Sequence, residues 1–531
     1  MWNSSWREKT WSELDQSWDI IIIGGGITGA GLLRLASSAG YKTLLVEGKD
    51  FSSGTSSRSS KLVHGGFRYL YNKQYEVTRE SVREREWLLN EAEELVNPLP
   101  FLLANYEQYH VKNIELWLGV VIYDLFASKW KHKRYSREKI LRDYPKLNPD
   151  GLMMGCRYED ANVDDSRLVV RVLREAVREG GTALNYARAI DLLQDNSGKV
   201  HGILLKDTSV QNGREIELKC RIVINASGPW TDEVRDHIGA PNRLRKLRGS
   251  HLVFPYEKFP MDTALTLFHP KDKRAMFVIP WEGTTLVGTT DIDHPAEFEQ
   301  QYSEPFATRE EVGYLLDAVK MMFPDLRLEL DDILSSFSGL RPVVRSGAAT
   351  PSKESRAHAI WLEKGLLTVT GGKLTTFRIM AEQTMNTAAA YLGRAPLERK
   401  RFFNKLPDLP ACDELDPQTG VYLLGRYGIE IRNLIETARP GELQKISPLP
   451  NVWAELRWAA REEAVHHLDD LLLRRVRLGL LLPEGGTELL PTIRSIVQPE
   501  LGWCDERWEE EERRYRQIWK MYYAPVPDAS C

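Results

Sequence analysis

The apolar positions of the chain fall into blocks with two different periods. Asp19-Ile-Ile-Ile-Ile-Gly-Gly-Gly is a continuous apolar run closed by glycines, the pattern of a strand covered on both faces, and Leu32 to Ser38 continues with helical spacing. Thr43-Leu-Leu-Val-Glu is a second such run, ending on an acid. A serine-rich loop, Phe51 to Ser60, leads into a long helical stretch from Glu76 to Leu95, where apolar residues recur among Glu and Arg. Leu168 to Glu179 predicts an amphipathic helix, and a hairpin is expected around Asn196-Ser-Gly. Arg221-Ile-Val-Ile-Asn-Ala-Ser-Gly-Pro-Trp then reads as a strand that ends in small residues.

From Gly249 to about Ser336 the pattern is mostly that of strands, with one helix at Arg309 to Met322. This suggests a β-rich unit inserted into the first domain, together with residues of about 98–150. The basic run Lys129 to Arg137 reads as a solvated loop. The strand Gly365-Leu-Leu-Thr-Val-Thr returns to the first domain, and a helix is expected from about Leu374 to Leu392. Beyond Pro407 the chain turns helical and charged, with Ala454 to Leu482 a strong amphipathic stretch. The expected organisation is an arm (1–18), an α/β domain (19–399) with the β-rich insertion (98–150 and 249–336), and a helical C-terminal domain (408–531).

At 531 residues and 42% hydrophobic content, the chain is long enough for two or three cores. A net charge of −4 argues against nucleic acid as the main partner. The five cysteines are odd in number and lack metal or redox spacing, so neither a disulfide nor a structural metal is expected. No apolar run is long enough to span a bilayer. Both ends carry aromatic residues, Trp2, Trp6, Trp11 and Trp18 at one and Trp503, Trp508, Trp519, Tyr522 and Tyr523 at the other. Tryptophan favours headgroup regions, so these ends can touch a membrane surface; the alternative is packing on the body or on a second subunit in a homodimer.

The first strand, turn and helix carry a specific chemical signal. Gly24, Gly26 and Gly29 permit a tight turn, close backbone approach to a pyrophosphate and close helix packing, with Thr28 at the helix start; Glu47, eighteen residues past Gly29, can accept from a ribose diol. A dinucleotide is expected there. The loop Gly54-Thr-Ser-Ser-Arg-Ser-Ser-Lys-Leu-Val-His-Gly-Gly-Phe-Arg-Tyr-Leu concentrates hydroxyls, backbone donors and cations, and can run under a pyrophosphate and then beside a reactive ring.

That loop, Asn225-Ala-Ser-Gly-Pro-Trp, Arg248-Gly-Ser-His, Gly288-Thr-Thr-Asp, Ser338-Gly-Leu-Arg-Pro and Gly371-Gly-Lys-Leu-Thr-Thr-Phe-Arg occur in an order that resembles the FAD-dependent glycerol-3-phosphate dehydrogenases. The resemblance extends to Val163-Asp-Asp-Ser-Arg-Leu and Trp453-Ala-Glu-Leu-Arg-Trp. Phe67, where leucine or isoleucine is usual, and Ser227, where threonine is more common, depart from it; so does the longer arm. It implies an α/β, Rossmann-type FAD-binding domain with a β-rich substrate domain and an α-helical C-terminal domain. The activity it implies is oxidation of sn-glycerol 3-phosphate to dihydroxyacetone phosphate, with electrons passed to membrane quinone at the inner face of the cytoplasmic membrane. It also implies FAD contacts at Thr55, Ser56, Ser57, Ser60, Lys61, Leu62, His64, Ala189, Ser227, Gly228, Gly372, Lys373, Leu374 and Thr375.

A substrate phosphate needs fixed cations and donors, for which Arg68, Tyr69, Arg341 and Lys373 are the candidates, each in or beside a glycine-rich turn. Oxidation at C2 moves a hydride to flavin N5 and requires a base for the hydroxyl proton. His251 is favoured for that role, assisted by Arg341, with His64 as the rival. A helix starting near Leu374 would aim backbone N–H groups at the flavin edge that gains negative charge on reduction.

Overall fold

The computed structural model describes residues 2, 5–66, 75–109, 111–126, 132–347, 354, 356–398 and 400–528. Trp18–Ile23 lies at the centre of an eight-stranded sheet, in parallel register with Thr43–Val46 on one side and with Glu215–Asn225 on the other, Ile23 opposite Asn225. Leu366–Gly371 adds a further parallel strand and His358–Glu363 closes the edge antiparallel. The apolar run Ile20–Ile23 within this strand is needed because both of its faces are covered. Ile20 and Ile22 pack with the helices Ile27–Ser38, Asp165–Arg178 and Phe377–Tyr391, while Ile21 and Ile23 pack with the hairpin Ala187–Gln194 and Val200–Asp207.

The second sheet has ten strands and forms the β-rich unit. It reaches beyond the limits expected of it. Val96–Tyr106 pairs with Leu152–Val163 along its length, from Val96 opposite Val163 to Tyr106 opposite Leu152, and Leu244–Pro255 pairs with Ser335–Val344. The basic run is also corrected: Lys133–Ser136 is an edge strand on Leu152–Val163, its charges exposed, a common guard against edge pairing. The helix Arg309–Met322 starts where its capping box, Thr308 with Glu311, places it.

The C-terminal part is helical, but the single amphipathic stretch 454–482 breaks up. Trp453–Glu462 is a helix, Ala464 and Arg477 take positive φ, and Leu471–Arg475 forms one π-type turn. Both faces are buried here, so the charged positions that make the stretch look amphipathic face buried partners instead of water. Leu471, Leu472, Leu473 and Val476 fill the core, while Arg475 and Arg477 turn inward to Asp50 (2.8 Å) and Asp165 (3.0 Å). These ion pairs, with Arg167–Glu463 at 2.6 Å, join the C-terminal helices to the α/β domain. Burial pushes the Asp50 carboxyl up, but Arg475 and Arg474 outweigh it and hold its pKa below the ordinary value.

The aromatic ends pack inside rather than facing a membrane. Trp2, Trp11, Trp18, Trp508, Trp519, Tyr522 and Tyr523 are buried, and Trp2 stacks on Phe51 with ring centroids 5.3 Å apart. Among the described residues no helix is long and apolar enough to cross a membrane.

Candidate functional site

A cavity of about 1850 Å³ runs from the carboxyl ends of the parallel strands to the second sheet. Its first end is built by the glycine turn. Gly24 has φ +116°, and a Cβ there would stand 2.5 Å from the Ala226 carbonyl oxygen. A Cβ on Gly29 would overlap the Gly24 carbonyl, so helix and turn approach as closely as glycine allows. The Ile27 N–H donates to Ser56 Oγ at 3.0 Å, tying the serine loop to the helix start. Glu47 accepts from the N–H groups of Gly25 (2.8 Å) and Lys49 (2.9 Å), and burial raises its pKa against the pull of those donors. Its oxygens keep lone pairs for further donors on the cavity side. Thr28, Arg188, Ala189, Ser227 and Gly228 line the same end.

From the serine loop, Thr55, Ser56, Ser60, Leu62 and His64 reach the cavity wall; Ser57 and Lys61 do not. Lys61 is wholly buried, its Nζ donating to Asp165 at 2.8 Å and to the Ser57 carbonyl at 2.6 Å. Burial, with Arg477 nearby, lowers its pKa to about 7 against the pull of Asp165. This lysine supports the loop from behind, a correction to its expected place beside a cofactor. Across the cavity, Gly371 and Gly372 take positive φ ahead of the turn Leu374–Thr376 and the helix Phe377–Tyr391. Thr375 Oγ1 accepts from the His64 N–H at 3.1 Å, joining the loop to this turn, and Lys373 Nζ donates to Ser81 Oγ at 2.8 Å. Gly372, Lys373, Leu374 and Thr375 all line the wall.

The far end carries the acid–base and cationic groups. His251 stacks on Phe337 with centroids 4.8 Å apart, and its Nε2 lies 2.8 Å from Ser60 Oγ. Burial, then Arg341 and Lys61, hold its pKa well below the ordinary histidine value, so the ring is neutral near pH 7 and able to take a proton. A Cβ on Gly288 would overlap this imidazole. Arg341, on the neighbouring strand, donates to Thr289 Oγ1 (2.9 Å), the Thr290 carbonyl (3.2 Å) and Asp291 (3.1 Å).

Asp291 also accepts from Arg274 at 3.2 Å and from Arg356 at 3.2 Å. Three guanidinium groups on the cavity wall thus share this one carboxylate among the described residues, a surplus of positive charge fit for a phosphate. Nη1 of Arg356 is buried with no hydrogen-bond partner among the described residues. Sequence reasoning missed Arg274, Arg356 and Asp291. Arg274 ends the charged turn Lys271-Asp-Lys-Arg and looks solvated, while Asp291, in a motif already noted, gains meaning only from the three arginines around it. Arg68 and Tyr69, with Phe67, lie outside the described residues.

The chain matches known families and proteins over most of its length. Residues 19–384 match the family model for FAD dependent oxidoreductase, and residues 367–508 that for the C-terminal domain of alpha-glycerophosphate oxidase. An aerobic glycerol-3-phosphate dehydrogenase of Staphylococcus saprophyticus is 33% identical over 500 residues, 88% of each chain. Glycerol-3-phosphate dehydrogenase 2 of Mycobacterium tuberculosis is 32% identical over 96% of this chain and 89% of its own. Among solved structures, the glycerol-3-phosphate dehydrogenase from Bacillus halodurans complexed with FAD superposes with a TM-score of 0.78 at 27% identity, covering 99% of both chains.

Proposed function

The chain belongs to the FAD-dependent glycerol-3-phosphate dehydrogenase family, and on that premise we propose that it oxidises sn-glycerol 3-phosphate to dihydroxyacetone phosphate and delivers the electrons to a membrane quinone. The observation that carries the substrate reading is the cluster of Arg274, Arg341 and Arg356 on Asp291, beside a neutral His251. FAD, when bound, supplies the acceptor for the hydride leaving C2. Residues that would hold it are Gly24, Gly26, Thr28, Gly29 and Glu47 at the nucleotide end, Ser56 and Ser60 along the loop, and Gly372 to Thr375 at the ring end.

The arginine cluster binds the phosphate and draws the polyol against His251. His251 takes the proton of the C2 hydroxyl, and the guanidinium of Arg341 stabilises the alkoxide character that develops as the proton leaves. Ser60 Oγ holds the imidazole in place through Nε2. His64, tied at its backbone to Thr375, serves the ring side of the cavity rather than the proton transfer. Lys373 and the backbone N–H groups of the turn at Leu374 supply positive potential at the same edge. The enzyme works at the inner face of the cytoplasmic membrane, as a peripheral protein.

Reoxidation kinetics test the acceptor. Holoenzyme reduced by glycerol 3-phosphate under anaerobic conditions should be reoxidised rapidly by a ubiquinone or menaquinone analogue and slowly by oxygen. Fast reoxidation by oxygen with stoichiometric peroxide would make it an oxidase instead.

A further inference from the structure

With the terminal tryptophans packed inside, another surface has to meet the membrane, and one helix has the required character. In Asn113–Leu125, Leu116, Val120 and Tyr123 are buried in the core, whereas Ile114, Leu118, Ile122 and Leu125 are 57, 50, 38 and 54% exposed. Their spacing of four, four and three residues places them in one stripe on the side away from the core. An ordinary surface helix turns a polar face to water. This one is apolar on both faces.

The stripe also meets the site. Leu118 and Ile122 line the cavity while standing half exposed, as does Tyr75 at 51%, so they form its opening. The flanking charge is mostly positive. Between Lys112 and Arg137 the sequence holds six basic residues against Glu115 and Asp124, in a chain whose net charge is −4. Asp124 is buried against His132, and Lys133 and Arg134 are exposed on the adjoining edge strand.

We infer that the helix Asn113–Leu125 docks the protein on an anionic lipid bilayer, lying flat with Ile114, Leu118, Ile122 and Leu125 in the boundary between headgroups and acyl chains. The cavity then opens directly onto the apolar phase that holds a quinone, and in this respect the inference rests on the acceptor reading above. Lipid fits better than a second copy of the chain. The four side chains expose on the order of 400 Å², about half of what one partner buries in a standard protein interface. Basic neighbours add attraction to an anionic surface but repel their own copies.

Flotation of the holoenzyme with phosphatidylglycerol/phosphatidylcholine vesicles tests this, with a water-soluble dye assay alongside. Ile114→Glu/Leu125→Glu, at positions outside the cavity wall, should lower vesicle partitioning by about tenfold or more and leave dye-linked activity within about twofold of wild type. Lys133→Glu/Arg134→Glu should erase the preference for anionic over neutral vesicles. The docking face is overturned if wild type ignores the vesicles or if the Glu double variant floats as wild type does. A wild-type dimer that the same variant dissociates, with no vesicle binding in either, would also overturn it and make the stripe an interface between copies. Wild type that binds vesicles through this stripe but fails to reduce quinone embedded in them would retire the acceptor and leave the docking face standing.

Discussion

Arg341 lays its guanidinium across Gly249, so that any Cβ at position 249 would overlap it. Gly249 stands two residues before His251 on the adjoining strand, with Leu247 opposite Arg341 and His251 opposite Phe337 in the register. A glycine therefore lets a cation from one strand extend along its neighbour toward the imidazole. Gly249→Ala should displace Arg341 and lower kcat/KM for glycerol 3-phosphate by about 100-fold, or ~2.7 kcal/mol, at normal flavin content. Steady-state kinetics on flavin-loaded protein read this directly.

Arg356 should matter as much as Arg341, although it lies in a stretch without any motif. Arg356→Ala should raise KM for glycerol 3-phosphate by about tenfold or more, while free glycerol, lacking the phosphate, is oxidised no worse than by wild type. An equal loss with both substrates would mean that Arg356 only holds the fold of the cluster. Arg356→Lys should recover little, because a point charge cannot reproduce a planar fork.

The depressed pKa of His251 has two consequences with definite signs. At saturating substrate, the rate of flavin reduction should stay level as pH falls through about 6.5, where an ordinary histidine protonates, and decline only below it. His251→Asn should reduce that rate by about 10³-fold at every pH. In stability, the unfolded chain takes up a proton near pH 6.5 that the folded chain refuses at His251, and also at His294 and His466, which burial lowers to about 4. Each such group contributes stability fully above about 6.5 that is lost at about 1.4 kcal/mol per pH unit below it, until its folded pKa is reached. Denaturant titrations between pH 7 and 5 should show the loss, shallower in His251→Asn.

The joint between the α/β domain and the C-terminal helices should be costly to break on one side. Asp50 accepts from Arg474 and Arg475 in a fully buried setting. Asp50→Ala would leave Arg475 without its carboxylate and should cost about 3–5 kcal/mol, measured as a fall in the midpoint of chemical unfolding.

How much of this was legible in the sequence depends on how local each cause is. The glycine turn, Glu47 and the helix Arg309–Met322 were readable because a period, a cap or a glycine at fixed spacing decides them within a few residues. The arginine cluster was not, since Arg274, Asp291, Arg341 and Arg356 come from separate segments that meet only in the folded chain. The resemblance implied a cofactor contact at Lys61, but the bend at this residue, with φ +59°, turns its side chain away from the cavity to Asp165. The stretch 454–482 hid its breaks because arginines there point inward to buried acids, which mimics a polar face. The tryptophans left two readings open because rings that suit a headgroup layer suit a core equally well, and packing is what the structure has, with Phe51 stacked on Trp2.

Anaerobic mixing of the purified yellow protein with glycerol 3-phosphate, followed by its flavin absorbance, bears most directly on the site described here. Rapid bleaching without any nicotinamide cofactor, strongly slowed in Arg341→Ala and in His251→Asn at unchanged flavin content, is the expected result. A flavin that stays oxidised in wild type, or one that is bleached equally fast in all three proteins, would contradict it.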